Sequence, residues 1–215
     1  MSGAKAKIGG IRPSIIVLVG SFILLGLFVF ITPEHKKLDA STLPWNAYFD
    51  EQGQLHTLGI TLNKTTLKEA MDIFGKDVEI KLFTNQDGSE KKAEAYFTVL
   101  YIGSIKAAAA VNLVVSEQEL EQVYSRGAKI SPTTSGGREV KLSSQDNLDF
   151  IEKTIESITL IPRRNLDARA IEMRFGTPDR RAFNEDGLER LYYKKLGLIM
   201  IIDPDGPEAL QYTAN

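Results

Sequence analysis

Residues able to do chemistry are sparse in this sequence. It has two histidines, His35 and His56, and no cysteine among 215 residues. A zinc site needs several nitrogen or sulfur ligands, and an activated nucleophile needs a base beside it, so neither pattern is present. Asp203 and Asp205 are spaced like the first ligands of a calcium loop, but the glutamate required at the twelfth position is missing. The sequence therefore predicts no enzyme activity and no catalytic, metal or cofactor site.

Side chains suited to contact with another molecule are more frequent. Pairs of adjacent arginines can hold an acidic partner if they meet on one face, although such pairs are commonly solvated strand ends. Two adjacent tyrosines are rings of the kind enriched at interfaces. Because neighbouring strand residues point to opposite faces, only one of these tyrosines can point outward. The candidate partner contacts are Arg163, Arg164, Arg180, Arg181, Tyr192 and Tyr193.

The charge distribution argues against nucleic acid as a partner. All 28 acidic residues lie after residue 33, together with all but three of the 26 basic ones. The larger part of the chain is therefore mildly acidic, whereas binding to phosphates needs a basic face. We expect a protein or small-molecule partner instead.

The apolar segment "PSIIVLVGSFILLGLFVFITP" (13–33) contains no ionisable side chain. At roughly 1.5 Å per residue its 21 residues span about 31 Å, the thickness of a bilayer core. A buried soluble helix rarely has this length without a polar residue, and a cleaved signal peptide has a shorter apolar core and small residues at its cleavage site. The segment is predicted to be an uncleaved signal anchor in the lipid bilayer.

Basic residues flanking the anchor predict its orientation. Lys5, Lys7 and Arg12 precede it, against Lys36 and Lys37 after it, and the more basic flank stays in the cytoplasm. The prediction is a single-pass protein of the bacterial inner membrane with a cytoplasmic tail (1–12), a linker (34–44) and a periplasmic C-terminal domain.

Two stretches of that domain echo each other about a hundred residues apart. In each, an N-cap residue, Thr66 or Asp167, lies eight residues before a phenylalanine followed by glycine. Glu69 completes a capping box with Thr66. A strand-like run and an Asp-Gly turn follow each glycine, which is a hairpin signal. The pattern predicts an α+β protein with an N-terminal transmembrane helix and two tandem helix-plus-antiparallel-sheet repeats, 45–128 and 129–215.

Further strands and turns complete the predicted repeats. The segment 45–62 is typical of two strands around an Asp-Glu-Gln-Gly turn, and 129–143 of an irregular hairpin. The continuous apolar run 196–203 suits a central strand. The short segment "EALQY" (208–212) is predicted to be an edge strand.

The segments "GITLNKTTLKEAMDIFGK" (59–76) and "NLDARAIEMRFGTPDRRAFNEDGLERLYYKKLGLIMIIDPDG" (165–206) resemble the outer-membrane-assembly lipoproteins of the SmpA/OmlA (BamE-like) type. A tandem of such units is similar to the fold of the β-lactamase-inhibitor proteins. The whole chain also resembles bacterial membrane-anchored proteins with no assigned function. The resemblance implies units that bind other proteins rather than catalyse. The lipoproteins are anchored through an acylated cysteine, which this chain lacks, so membership of their assembly machine is not implied.

Three hypotheses follow for the function. The first is a membrane-anchored periplasmic adaptor that binds an envelope protein during envelope biogenesis or transport. The second is a small-ligand or lipid-binding protein that uses a groove between the two repeats. The third is a hydrolase whose carboxylates, or serine and histidine, converge only in the folded chain. The sequence does not indicate an oligomeric state.

Overall fold

Short helices alternate with antiparallel strands in the part of the chain that the computed structural model describes, namely residues 39–127, 129–133, 136–166, 168–184 and 187–214. The α-helices are α1 (Leu67–Phe74), α2 (Glu117–Ser125), α3 (Ser144–Phe150) and α4 (Ala168–Phe175). The strands are β1 (Tyr48–Phe49), β2 (Leu55–Thr57), β3 (Ile60–Thr61), β4 (Glu79–Thr84), β5 (Lys92–Ile102), β6 (Ile105–Leu113), β7 (Lys129–Pro132), β8 (Arg138–Lys141), β9 (Ile155–Pro162), β10 (Arg180–Phe183), β11 (Glu189–Tyr193), β12 (Leu198–Ile202) and β13 (Ala209–Thr213). The α+β class is thereby confirmed.

Ten of the strands form one antiparallel sheet in the order β10-β11-β12-β13-β9-β6-β5-β4-β8-β7, and β1-β2-β3 form a small second sheet. Each echoed stretch is a helix followed by a meander: α1 leads into β4-β5-β6, and α4 into β10-β11-β12. Strand β9 joins the meanders, because it pairs with β6 on one side and with β13 on the other. Strands β7 and β8, from the predicted second repeat, extend the first meander through β4.

One strand prediction was wrong. The segment "EALQY" was expected at an edge, but β13 lies between β12 and β9 and pairs with both. Its alternation of buried and half-buried side chains is that of a sheet with one covered face, and this pattern does not distinguish an edge from an interior position.

The helix ends follow the local signals in the sequence. Thr66 Oγ1 accepts a hydrogen bond from the backbone N–H of Glu69, and the Glu69 carboxylate accepts one from the N–H of Thr66 at 2.8 Å. This reciprocal pair is the predicted capping box. Gly75 and Gly176 follow α1 and α4 with φ of 114° and 77°, a region that disfavours other residues. Asp167, the predicted cap of α4, lies outside the described residues.

The core lies on one face of the large sheet. Helices α1 and α4 contact this face, with the Phe74 ring 5.5 Å from Phe97 and the Phe175 ring 6.0 Å from Tyr193. The N-terminal segment is tied to the same face, since the Tyr212 hydroxyl donates to the Pro44 carbonyl at 2.6 Å. A row of register partners crossing seven strands is buried on this face: Tyr193, Leu198, Tyr212, Ile158, Val111, Ala95 and Ile80.

The adjacent row of register partners points to the opposite side of the sheet and remains solvent-accessible. We call this side the outer face. Across eight strands the row consists of Arg180, Tyr192, Ile199, Gln211, Thr159, Ala110, Tyr96 and Glu79. Its middle is uncharged and its ends are charged.

Candidate functional site

A cavity of about 900 Å³ opens at the β10–β12 end of the sheet, and we call it the edge groove. Its wall on one side is the β1–β2 hairpin, through Phe49 and Gly53. The other lining residues come from the ends of the last strands: Asp179, Arg180, Tyr192, Tyr193, Lys194, Gly197, Leu198, Ile199 and Thr213. The groove falls within the volume range of ligand and peptide sites.

Gly197 brings the hairpin against the sheet. Its φ of +56° lies in the left-handed region, which favours glycine. A Cβ at this position would lie 2.4 Å from Leu55 Cδ2 and 3.1 Å from Phe49 Cζ. Only a residue without a side chain therefore permits this approach, and the approach creates one wall of the groove.

Arg180 and Tyr192 form the chemically distinctive part of the groove. They are register partners on β10 and β11, so their side chains share the outer face. The Arg180 guanidinium lies 3.8 Å above the centre of the Tyr192 ring, a cation–π contact. The stacked pair presents a flat apolar surface with a positive charge, and Ile199 lies beside Tyr192 on β12.

Backbone contacts fix the end of the groove. The Asp179 carboxylate accepts a hydrogen bond from the Lys194 N–H at 2.7 Å, and the Asp179 N–H donates to the Tyr192 carbonyl at 2.8 Å. The negative charge of Asp179 is thus engaged, while the Lys194 side chain is exposed. The edge groove therefore has apolar walls and one net positive charge at its rim, from Arg180 and Lys194 against Asp179.

Charges at the other end of the outer face are paired with each other. Lys81 Nζ lies 3.2 Å from a Glu139 carboxylate oxygen and 3.5 Å from one of Glu79. The Tyr96 hydroxyl donates to the Glu94 carboxylate, and burial together with this bond raises the pKa of Tyr96. This end therefore has less unsatisfied charge to offer a partner than the edge groove.

The structure does not bring all the predicted contact residues together. Arg180 and Tyr192 meet in the edge groove, whereas Arg181 and Tyr193 belong to the opposite face. Tyr193 is only 4 % exposed, so its ring is part of the core. The prediction that only one of the two tyrosines points outward is confirmed, and the outward residue is Tyr192.

The other arginine pair lies elsewhere. Arg163 and Arg164 follow β9, four strand positions from β10, which is roughly 19 Å at the usual strand spacing. Arg163 donates to the Thr98 carbonyl at 2.9 Å, next to the irregular pairing of β5 with β6. Arg164 is exposed. These two residues are not part of the edge groove.

Sequence reasoning missed a chain of polar contacts around His56. Its Nε2 lies 2.8 Å from an Asp50 carboxylate oxygen, and its Nδ1 lies 3.0 Å from Thr61 Oγ1. The Tyr48 ring stacks on the imidazole at 4.8 Å. The hydrogen bond from His56 lowers the pKa of Asp50. The spacing of Asp50, His56 and Thr61 across two tight turns was the available signal.

The Asp50–His56–Thr61 contacts have the arrangement acid–histidine–hydroxyl, which activates the hydroxyl as a nucleophile in some enzymes. The surroundings of these three residues favour a structural role instead. Acyl transfer needs free N–H donors beside the attacking oxygen to hold the developing negative charge. The N–H of Thr61 itself donates to Thr65 Oγ1 at 2.9 Å. The contacts connect β1, β2 and β3 and thus hold the hairpin that walls the edge groove.

Two other cavities lie on the covered side of the sheet. One of about 330 Å³ lies between α4 and strands β10–β12. Another, of about 120 Å³, is lined from both predicted repeats, through Ile105 of the first and Phe175 of the second. Its volume is below the usual range of ligand sites.

The turn at Asp203–Gly206 behaves as expected for a loop. Asp203 Oδ1 accepts a hydrogen bond from the N–H of Asp205 at 2.9 Å.

Within the described ranges, no group of three acidic or histidine side chains is placed to hold a metal ion. No helix in the same ranges is long and apolar enough to cross a membrane. The predicted anchor, 13–33, lies outside the described residues.

Comparisons with protein-family models, with curated proteins and with solved structures found no match to this chain. The resemblance to the SmpA/OmlA type therefore stays a prediction from the quoted segments.

Proposed function

We propose that this protein is a membrane-anchored adaptor of the bacterial cell envelope, without catalytic activity, whose periplasmic domain binds another envelope protein. The edge groove carries the proposal, because it places a stacked Arg180–Tyr192 pair beside the half-buried apolar side chains of Phe49 and Ile199. Arginine and tyrosine are the residue types that dominate binding energy at protein interfaces. The anchor 13–33 would hold the domain at the inner membrane, where a partner in envelope biogenesis or transport is encountered.

The groove's chemistry specifies the partner segment. Arg180 and Lys194 provide positive charge, and the nearby Asp179 carboxylate is already engaged by a backbone N–H. Phe49, Ile199 and the Tyr192 ring provide apolar surface. The matching segment therefore carries a carboxylate next to an apolar side chain, so that charge and apolar contacts form together.

Photo-crosslinking in cells tests this proposal. A benzophenone amino acid is placed in the full chain at Tyr192 or Ile199, and at Met173 as a control, since Met173 is 69 % exposed on α4. We expect the same discrete protein adduct from the two groove positions and its absence from the control position.

A charge reversal makes the experiment specific. Arg180→Glu should reduce the adduct from Ile199 severalfold because it repels the partner's carboxylate. Arg164→Glu is the matched control, as Arg164 is also exposed and follows β9, four positions from β10 in the sheet. An adduct that forms equally from all three labelled positions, or that survives Arg180→Glu unchanged, would refute docking in the edge groove.

A further inference from the structure

The cavity of about 330 Å³ beneath α4 has the composition of a small-molecule site. Apolar side chains line much of it, among them Ile171, Leu191 and Ile202. Charged side chains line the rest: Arg169, Glu172, Arg181 and Glu189. Ligand sites combine such an apolar lining with a few polar groups that fix orientation. The cavity lies on the covered side of the sheet, whereas the Arg180–Tyr192 pair of the edge groove lies on the outer face.

Tyr193 also lines this cavity, and its hydroxyl oxygen is buried with no hydrogen-bond partner among the described residues. A buried hydroxyl without a hydrogen-bond partner is destabilising, so binding of an acceptor group at this oxygen would be favourable. Arg181 is the register partner of Leu191, two residues before Tyr193 on β11, so the Arg181 and Tyr193 side chains share the covered face. Burial is the largest influence on the pKa of Tyr193 and raises it. The phenol is therefore neutral and has a proton to donate.

The nearby cation indicates which acceptor the hydroxyl should meet. Arg181 contacts Glu189 through a single nitrogen at 3.3 Å, and a guanidinium has five N–H donors, so donors remain. A neutral O–H beside a guanidinium is a donor set for a carboxylate. Glu172 and Arg181 are both exposed, so water screens both charges, and the buried Tyr193 hydroxyl is the group that fixes the position of the carboxylate.

We propose that this cavity binds a small monocarboxylate with an apolar body, held by the Tyr193 hydroxyl and the Arg181 guanidinium. The apolar body packs among Ile171, Leu191 and Ile202. Tyr193 lines both this cavity and the edge groove, and the two proposals are distinguished by Arg181, which lines this cavity, and Arg180, which lines the edge groove. Either proposal can therefore fail without the other.

Fluorine NMR of para-fluorobenzoate with the detergent-solubilised full chain tests the site. We expect saturable binding to the wild-type protein and at least about tenfold weaker binding to Tyr193→Phe, which removes one charge-assisted hydrogen bond. Tyr192→Phe is the matched control, since it deletes the same hydroxyl from the outer face. Arg181→Gln should weaken binding similarly, and Arg180→Gln should leave it unchanged.

Thermal melting separates a binding effect from misfolding. Tyr193→Phe removes an unpartnered buried hydroxyl, so its melting temperature should equal or exceed that of the wild type. The cationic analogue para-fluorobenzylamine should not compete. Absence of saturable benzoate binding, equal binding by Tyr193→Phe, or equal competition by the amine would each overturn the proposal.

Discussion

Asp146, at the start of α3, is the residue whose charge is most completely enclosed among the ion pairs of the described residues. Its side chain is 2 % exposed, and it accepts from Arg126 at 2.5 Å and from Ser143 Oγ at 2.6 Å. Burial alone would raise its pKa, but the hydrogen bonds from Arg126 and Ser143 outweigh burial and hold the pKa below the usual value for an aspartate. The pair links the end of α2 to the first turn of α3.

We expect Arg126→Gln to lower the free energy of unfolding by about 2 kcal/mol at pH 7, because a buried carboxylate loses its partner while Arg126 itself is half exposed. The depressed pKa of Asp146 stabilises the fold above pH ~4, and this contribution disappears as the pH falls through the folded-state pKa. The variant should therefore lose less stability on acidification. Urea unfolding at several pH values measures the free energy of unfolding of the wild type, of Arg126→Gln and of the control Arg164→Gln. If Arg126→Gln and the wild type lost the same stability on acidification, the Arg126–Asp146 pair would not be the source of the acid dependence.

Strand β13 shows how an element's position changes the cost of a substitution. It was predicted at an edge, and the structure places it between β12 and β9 with Leu210 1 % exposed. Strand β7 is a true edge strand of the same sheet, and its Ile130 is 47 % exposed. The two residues therefore differ in burial although both lie in short strands.

Leu210→Ala should destabilise the protein by about 2–5 kcal/mol, since it leaves a cavity in a packed core. Ile130→Ala should cost less than about 1 kcal/mol, because most of the side chain is already in water. Chemical denaturation of both variants provides the comparison. Equal costs would show that β13 does not occupy an interior position.

The two meanders belong to one sheet, which makes the domain's stability a property of the whole. Strand β9 is the junction, with β6 on one side and β13 on the other. Tyr212 of β13 is fully buried and donates to Pro44 in the N-terminal segment. The first and last described segments are thus in direct contact.

Deletion of residues 208–215 should unfold the entire domain rather than loosen one end. The deletion removes Leu210, Tyr212 and a strand's hydrogen bonds, which together approach the 5–15 kcal/mol total stability of a typical domain. Amide hydrogen exchange in β4–β6 is the measurement, because these strands do not touch the deleted segment in the sheet order. Retained protection there would instead show that the first meander is independently stable.

Local structure was readable from the residues. Four predicted features depend only on residues a few positions apart. They are the capping box at Thr66 and Glu69, the glycine ends of α1 and α4, the 129–143 hairpin, and the outward direction of only one of two adjacent tyrosines. Such signals act through hydrogen bonds and backbone angles within one or two turns, so a single sequence contains them.

Strand order and the membership of each face depend on pairing between distant segments. The sequence predicted that only one of Tyr192 and Tyr193 points outward, but the neighbours of β11 decide which side of the strand is covered by α4. The interior place of β13, the Asp50–His56–Thr61 contacts and the enclosure of Tyr193 have the same origin. Each requires segments far apart in the chain to meet, and a side chain's burial is set by what the fold brings over it.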